Sequence, residues 1–254
     1  MSAAPPAPTP GDEPACWVSL TYDGLLHSHV EVAVPELKSR SLPATFFGAP
    51  EDLVERATAW RAVADEGINL GCHPLFKSTD PFGNLPNWTL DMVEYELRSC
   101  RKLFTELIYR QSDFPFAYPG PERGCLKAPH DHGATSYEPI VRRLFGVARG
   151  AIEGINDRSR PDLGMLFRYE THSHTAEEII RAVQEAERTR GWIVLVFGGI
   201  GEGDFGIDAT AHSKFLDWLS QRTADVRVGS LVGLASRVRG WAEAQGAASQ
   251  GDAE

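Results

Sequence analysis

Residues 17–47, WVSLTYDGLLHSHVEVAVPELKSRSLPATFF, contain one full turn of a repeating plan. Residues 17–22 are apolar, hydroxyl-bearing or aromatic and read as a strand. Asp23 and Gly24 interrupt it, residues 30–40 space their apolar side chains as a helix does, and residues 44–47 form a second apolar strand. A strand, a helix and a strand within about thirty residues make a βαβ unit, whose strands must run parallel.

The plan recurs downstream. Further strands are expected at residues 68–72, 114–118, 144–148 and 192–197. Helices are expected at 51–66, 90–109, 137–143, 176–190, 209–221 and 231–239. This alternation is an α/β fold on a parallel sheet, either closed as a barrel or open and doubly wound. Residues 1–14 and 242–254 are rich in Pro, Ala and small polar residues and read as disordered tails. Between them, residues 15–241 form one domain without internal repeats.

The bulk properties narrow the function. The 254 residues include 42% hydrophobic and 24% charged, enough for a substantial core. A net charge of −10, from 35 acidic and 25 basic residues, opposes phosphate neutralisation and thus nucleic-acid binding. Cys16, Cys72, Cys100 and Cys125 form no CxxC pair, so neither a zinc knuckle nor a disulfide framework is expected. The first residues, MSAAPPAPTPGDEPA, lack the basic start and apolar core of a secretory signal. No apolar run reaches the roughly 18–20 residues needed to span a bilayer. A cytoplasmic location and no membrane partner are expected.

Four polar residues, Asp23, His73, Tyr118 and Arg149, each fall just past the carboxyl end of an expected strand. In parallel barrels that edge gathers the βα loops, so the four point to one composite site.

Several stretches, LTYDGLLHSHVEVAVPELKSRSLPATFF, FAYPGPERG, SYEPIVRRLFGVARG and WIVLVFGGIGEGDFGID, taken together resemble the polysaccharide deacetylase family (NodB-like, carbohydrate esterase family four). The resemblance runs from about Trp17 to Trp241. It implies a distorted, incomplete (β/α) barrel and metal-assisted deacetylation. It also implies departures from that chemistry. The family's first strand ends in Thr-Phe/Tyr-Asp-Asp, a general base followed by a metal ligand; here Thr21-Tyr22-Asp23-Gly24 keeps the base and loses the ligand. The family's paired histidines become His73 and Lys77, and a protonated lysine cannot ligate a metal. The late His-Gly pair, whose imidazole serves as acid, becomes Gly198-Gly199. Zinc hydrolases need about three protein ligands and a water, and this set does not supply them.

The resemblance further implies that Tyr118 lines the substrate site and that Arg149 orients the base. The expected site therefore has Asp23, Lys77 and His73 as catalytic groups. Tyr22, His27, Tyr118, Glu122, Arg123 and Arg149 are expected to bind substrate, with no metal and no cofactor. Lys77 would offer positive charge in the metal's place; Glu122 and Arg123 could equally form a loop salt bridge. A site rebuilt from Asp23, His73 and His27 or His29 stays open as a metal alternative. His130-Asp131-His132 and His172-Ser173-His174 read as polar loops, and His212 as structural. The expected function is metal-independent acid/base chemistry on a small organic molecule: isomerisation, cyclisation, dehydration or hydrolysis. A deacetylase with a rearranged metal site and a non-catalytic binding protein are the alternatives, and a homodimer is left open.

Overall fold

A computed structural model describes residues 13–75, 85–128, 134–222 and 224–251. Of the expectations above, Lys77, the 130–132 histidines and residues 1–12 and 252–254 lie outside these. In chain order the first half comprises β1 (Cys16–Asp23), a π-helical turn (His29–Ala33) leading into α1 (Val34–Ser39), β2 (Ala44–Gly48), α2 (Pro50–Glu55), α3 (Ala57–Asp65), β3 (Asn69–Cys72), β4 (Leu85–Thr89) and α4 (Leu90–Leu107). The second half comprises β5 (Phe116–Ala117), β6 (Gly124–Leu126), β7 (Ala134–Ser136), α5 (Glu138–Leu144), β8 (Ala148–Glu153), β9 (Leu166–Glu170), α6 (Ala176–Arg188), β10 (Trp192–Phe197), α7 (Ala209–Ser220), β11 (Val226–Val228) and α8 (Leu231–Gly251).

Seven parallel strands close into a ring in the order β1-β2-β3-β5-β8-β9-β10, with β10 returning to β1 along six residue pairs from Trp17–Trp192 to Tyr22–Phe197. The eighth strand, β11, joins no ring position of its own. It pairs with Cys16–Val18 at the foot of β1, below the point where β2 pairs with Leu20–Asp23. The barrel is therefore distorted and one strand short of eight. Strands β4, β6 and β7 form a separate small sheet beside it.

Alternation along β1 divides the apolar side chains into two layers. Val18, Leu20 and Tyr22 face outward into the layer under the helices. Trp17 belongs to the second cluster, with Phe47, Ala117, Val147, Leu166 and Val194, which fills the lumen. The lower end of the lumen is closed by α8, whose Leu231, Leu234, Ala235 and Trp241 pack into that cluster. The Trp17 ring lies 4.9 Å from that of Trp241 and 5.9 Å from that of Trp192. Beneath them buried Glu13 accepts from the Trp17 indole at 3.2 Å and pairs with Arg227 and Arg237 at 2.6 and 2.5 Å.

Three expectations need correction. The 51–66 helix is two helices, broken at Arg56 (φ −129°, ψ 34°), whose guanidinium reaches back to the Leu25 carbonyl. The strand expected at 144–148 starts only at Ala148, because Glu138–Leu144 completes a helix first; Arg149 is thus inside β8 rather than past its end. Residues 242–251, read as tail, continue α8, as their Ala, Glu and Gln content favours.

Candidate functional site

Asp23 is the last residue of β1, and the alternation that sends Tyr22 outward turns Asp23 and Thr21 into the upper lumen. There they meet Arg149 from β8, which is fully buried. Arg149 Nη2 donates to Asp23 Oδ2 at 2.7 Å and Nη1 to Thr21 Oγ1 at 3.0 Å. Thr21 in turn donates to the Leu195 carbonyl at 2.7 Å. The guanidinium lies 5.0 Å over the Phe47 ring, a cation–π contact that fixes its plane. A buried arginine without a carboxylate partner would be strongly unfavourable, so the pair is obligatory for the fold as well as oriented.

Only one carboxylate oxygen is used. Asp23 Oδ1 is buried and has no hydrogen-bond partner among the described residues. Asp23 lines the floor of an open cavity of about 1110 Å³ at the carboxyl edge of the strands. Burial by itself would raise the Asp23 pKa. The charges of Arg149 and His73, the Arg149 hydrogen bond and Arg168 outweigh it, and the group stays ionised below its usual range. His73, just past β3, also lines the cavity; burial lowers its pKa despite the nearby Asp23.

The cavity also holds charged residues that the sequence reading missed, Asp52, Arg56, Glu202 and Asp204 and, on β9, Arg168 and Glu170. The two on β9 are two apart, so one side of the strand presents both to the mouth while Phe167 faces out and is exposed. They form an ion pair with each other, and Arg168 Nε is buried without a partner among the described residues. Burial raises the Glu170 pKa, with the Asp23 and Glu153 charges adding to it against Arg168. The stretch LFRYE alternates aromatic with charged residues, and no apolar run marks it as a strand.

The expected residues are distributed as follows. Asp23, His73, His27 and Tyr118 line the cavity, and Arg149 stands behind Asp23. Tyr118 is fully buried, its ring against Phe116 and Tyr137, so it offers the cavity a wall. Tyr22 is not brought there: it is stacked between Phe46 and Phe197, and its hydroxyl donates to His212 Nε2 at 2.9 Å. Glu36 accepts from His212 Nδ1 at 2.7 Å, which sets that tautomer. Glu122 and Arg123 lie outside the cavity lining, and Arg123 pairs with Glu138 at 3.3 Å.

His29 is also accounted for. Its Nδ1 accepts from the Leu26 amide at 3.1 Å, so the proton is on Nε2, which donates to the Gly198 carbonyl at 2.9 Å. Burial lowers its pKa to about 4. It is a neutral brace between two loops with no nitrogen left to bind a metal.

No family model matches the chain, and neither does any curated protein. Solved structures do match. A probable polysaccharide deacetylase from Pseudomonas aeruginosa superposes with a TM-score of 0.63 at 11% identity, covering 91% of this chain and 93% of that one. A family 4 acetyl xylan esterase from Clostridium thermocellum, in complex with a cobalt ion, gives 0.56 at 18% identity over 87% and 90%. A carbohydrate esterase family four pseudoenzyme from Bacillus anthracis gives 0.52 at 15% over 89% and 70%. The chain has the polysaccharide deacetylase fold.

The metal that this fold implies does not suit the donors present. Among the described residues no three His, Cys, Asp or Glu side chains are grouped to hold an ion. Asp23 and His73 share the cavity with the guanidinium groups of Arg56 and Arg168, and Arg149 stands behind Asp23. Two of the departures from the deacetylase pattern are also built into the backbone. Gly24 has φ +106°, a region that side-chain-bearing residues avoid. A Cβ at Gly198 would lie 2.1 Å from the Phe205 carbonyl oxygen. The loop that follows β10 fills the place where an imidazole would stand.

Proposed function

We propose that this protein is an enzyme that moves a proton on a small organic substrate held in the cavity, using Asp23 as base and no metal ion. The observation that carries this reading is the asymmetric Asp23 carboxylate. One oxygen is fixed by buried Arg149, the other is buried with no partner among the described residues, and the side chain, 27% exposed at the cavity floor, is held ionised. An ionised carboxylate fixed in place at a cavity floor can take a proton from a substrate O–H, N–H or acidic C–H that reaches it.

In this reading the Asp23 carboxylate takes the substrate proton. The negative charge left on the substrate faces the Arg168 guanidinium in the cavity lining. Glu170, whose pKa burial raises, is placed in the lining to return a proton at a second position. Two carboxyl groups whose pKa values are pushed in opposite directions divide naturally into base and acid. The net change is an isomerisation, or the proton transfers of a cyclisation or dehydration.

The test is incubation of purified protein with a library of small enolic and phenolic compounds in deuterium oxide, followed by mass spectrometry. Wild type should incorporate deuterium into, or convert, at least one compound. Asp23→Asn should slow that reaction by about a hundredfold or more. Equal turnover by Asp23→Asn would sink the reading, as would turnover that depends on added zinc or cobalt. Binding without any conversion would leave a binding protein.

A further inference from the structure

The loop that displaces the lost acid has properties of its own. Residues 198–206, GGIGEGDFG, turn back over Gly198 with Gly201 and Gly203 at positive φ. The loop is held at many points. Ile207 donates to the Gly199 carbonyl at 2.9 Å and Gly201 to the Ile207 carbonyl at 2.8 Å. The Ile200 amide donates to Ser28 Oγ at 3.0 Å, the Ser28 amide to Glu202 at 3.2 Å, and Ser173 to the Gly206 carbonyl at 3.1 Å. On this braced loop Phe205 lines the cavity and is nonetheless 75% exposed, its ring set edge-on to His172 at 5.9 Å. A large aromatic side chain held open at a cavity rim is a preorganised contact surface.

The rest of the lining agrees with a flat ligand. Gly24, Gly48, Ala49 and Gly199 offer backbone and methyl surface, and the polar side chains of the lining are charged, imidazole or phenol groups, with no Ser, Thr, Asn or Gln among them. Below this wall Asp23 and Arg168 stand in the lining as acceptor and donor. We propose that the cavity binds a planar ring compound bearing an acidic hydroxyl, with the ring against Phe205 and the hydroxyl directed to Asp23. This rests on the proton-transfer reading above for the role of Asp23, while the Phe205 contact is independent of it.

The test uses 7-hydroxycoumarin, whose fluorescence reports binding, with the N-acetylglucosamine tetramer as competitor. Wild type should bind the coumarin. Phe205→Ala should weaken binding about tenfold, the size of one aromatic stacking contact, and Phe205→Trp should restore it. The sugar tetramer should not displace the probe. Unchanged affinity in Phe205→Ala, displacement by the tetramer, or no binding by wild type would each overturn the inference. Asp23→Asn separates the two claims. If it binds as tightly as wild type while Phe205→Ala is weak, the Asp23 role fails and the aromatic contact stands. If only Asp23→Asn is weak, the reverse holds.

Discussion

Arg149 and Asp23 decide the character of the site, because each makes the other tolerable where it lies. The guanidinium is fully buried, and its charge is balanced by a carboxylate that also lines the cavity. Replacing Arg149 by Met should destabilise the fold by about 3 kcal/mol, read from chemical denaturation, because it strands Asp23. His29 gives a separable prediction. Its folded-state pKa, about 4, lies below the ordinary 6.5, so the unfolded chain binds the proton first. Stability must therefore be full above pH 6.5 and fall as the pH drops from there towards 4. His73 acts in the same direction. Denaturation midpoints in that window should show the slope, and His29→Gln should flatten it; a slope unchanged in that variant contradicts the assignment.

At the scale of elements, the loop after β10 is the part furthest from the deacetylase pattern. Gly198→Ala places a methyl group against the Phe205 carbonyl, and the loop must shift to admit it. The expected cost is about 1–3 kcal/mol, a fall in Tm of roughly 5 °C for a chain this long. An unchanged Tm would mean the loop yields freely. How far the elements were legible follows from their patterns. Residues 17–22, 44–47 and 192–197 are continuous apolar runs ended by Gly, Pro or Asp, and their strands appear where expected. The β9 stretch, LFRYE, escaped because its inner face is charged for the sake of the cavity and no apolar run announces it. Tyr22 was expected beside Asp23 in the site, but neighbours on a strand face opposite ways. Once Asp23 is set in the lumen, Tyr22 must lie under the helices.

For the whole molecule, the barrel separates stability at one end from chemistry at the other. The lower end is sealed by three tryptophans, α8 and the Glu13 ion pairs, none of which is among the described residues lining the cavity. Trp241→Ala should cost about 3–5 kcal/mol and leave 7-hydroxycoumarin affinity intact. Loss of affinity at full folding would contradict that separation. The location of the cavity was legible because strand-end residues Asp23 and His73 sit on the carboxyl edge that a parallel barrel gathers. Its charge balance was not, since Arg168 and Glu170 are brought in by ring closure that no local pattern encodes. The account depends most on the ionisation of Asp23, and this is measured by carbon-13 titration of the aspartate carboxyl groups, with Asp23→Asn to assign the resonance. The account predicts that Asp23 titrates below the ordinary value of 3.8. Titration at or above that value would contradict it.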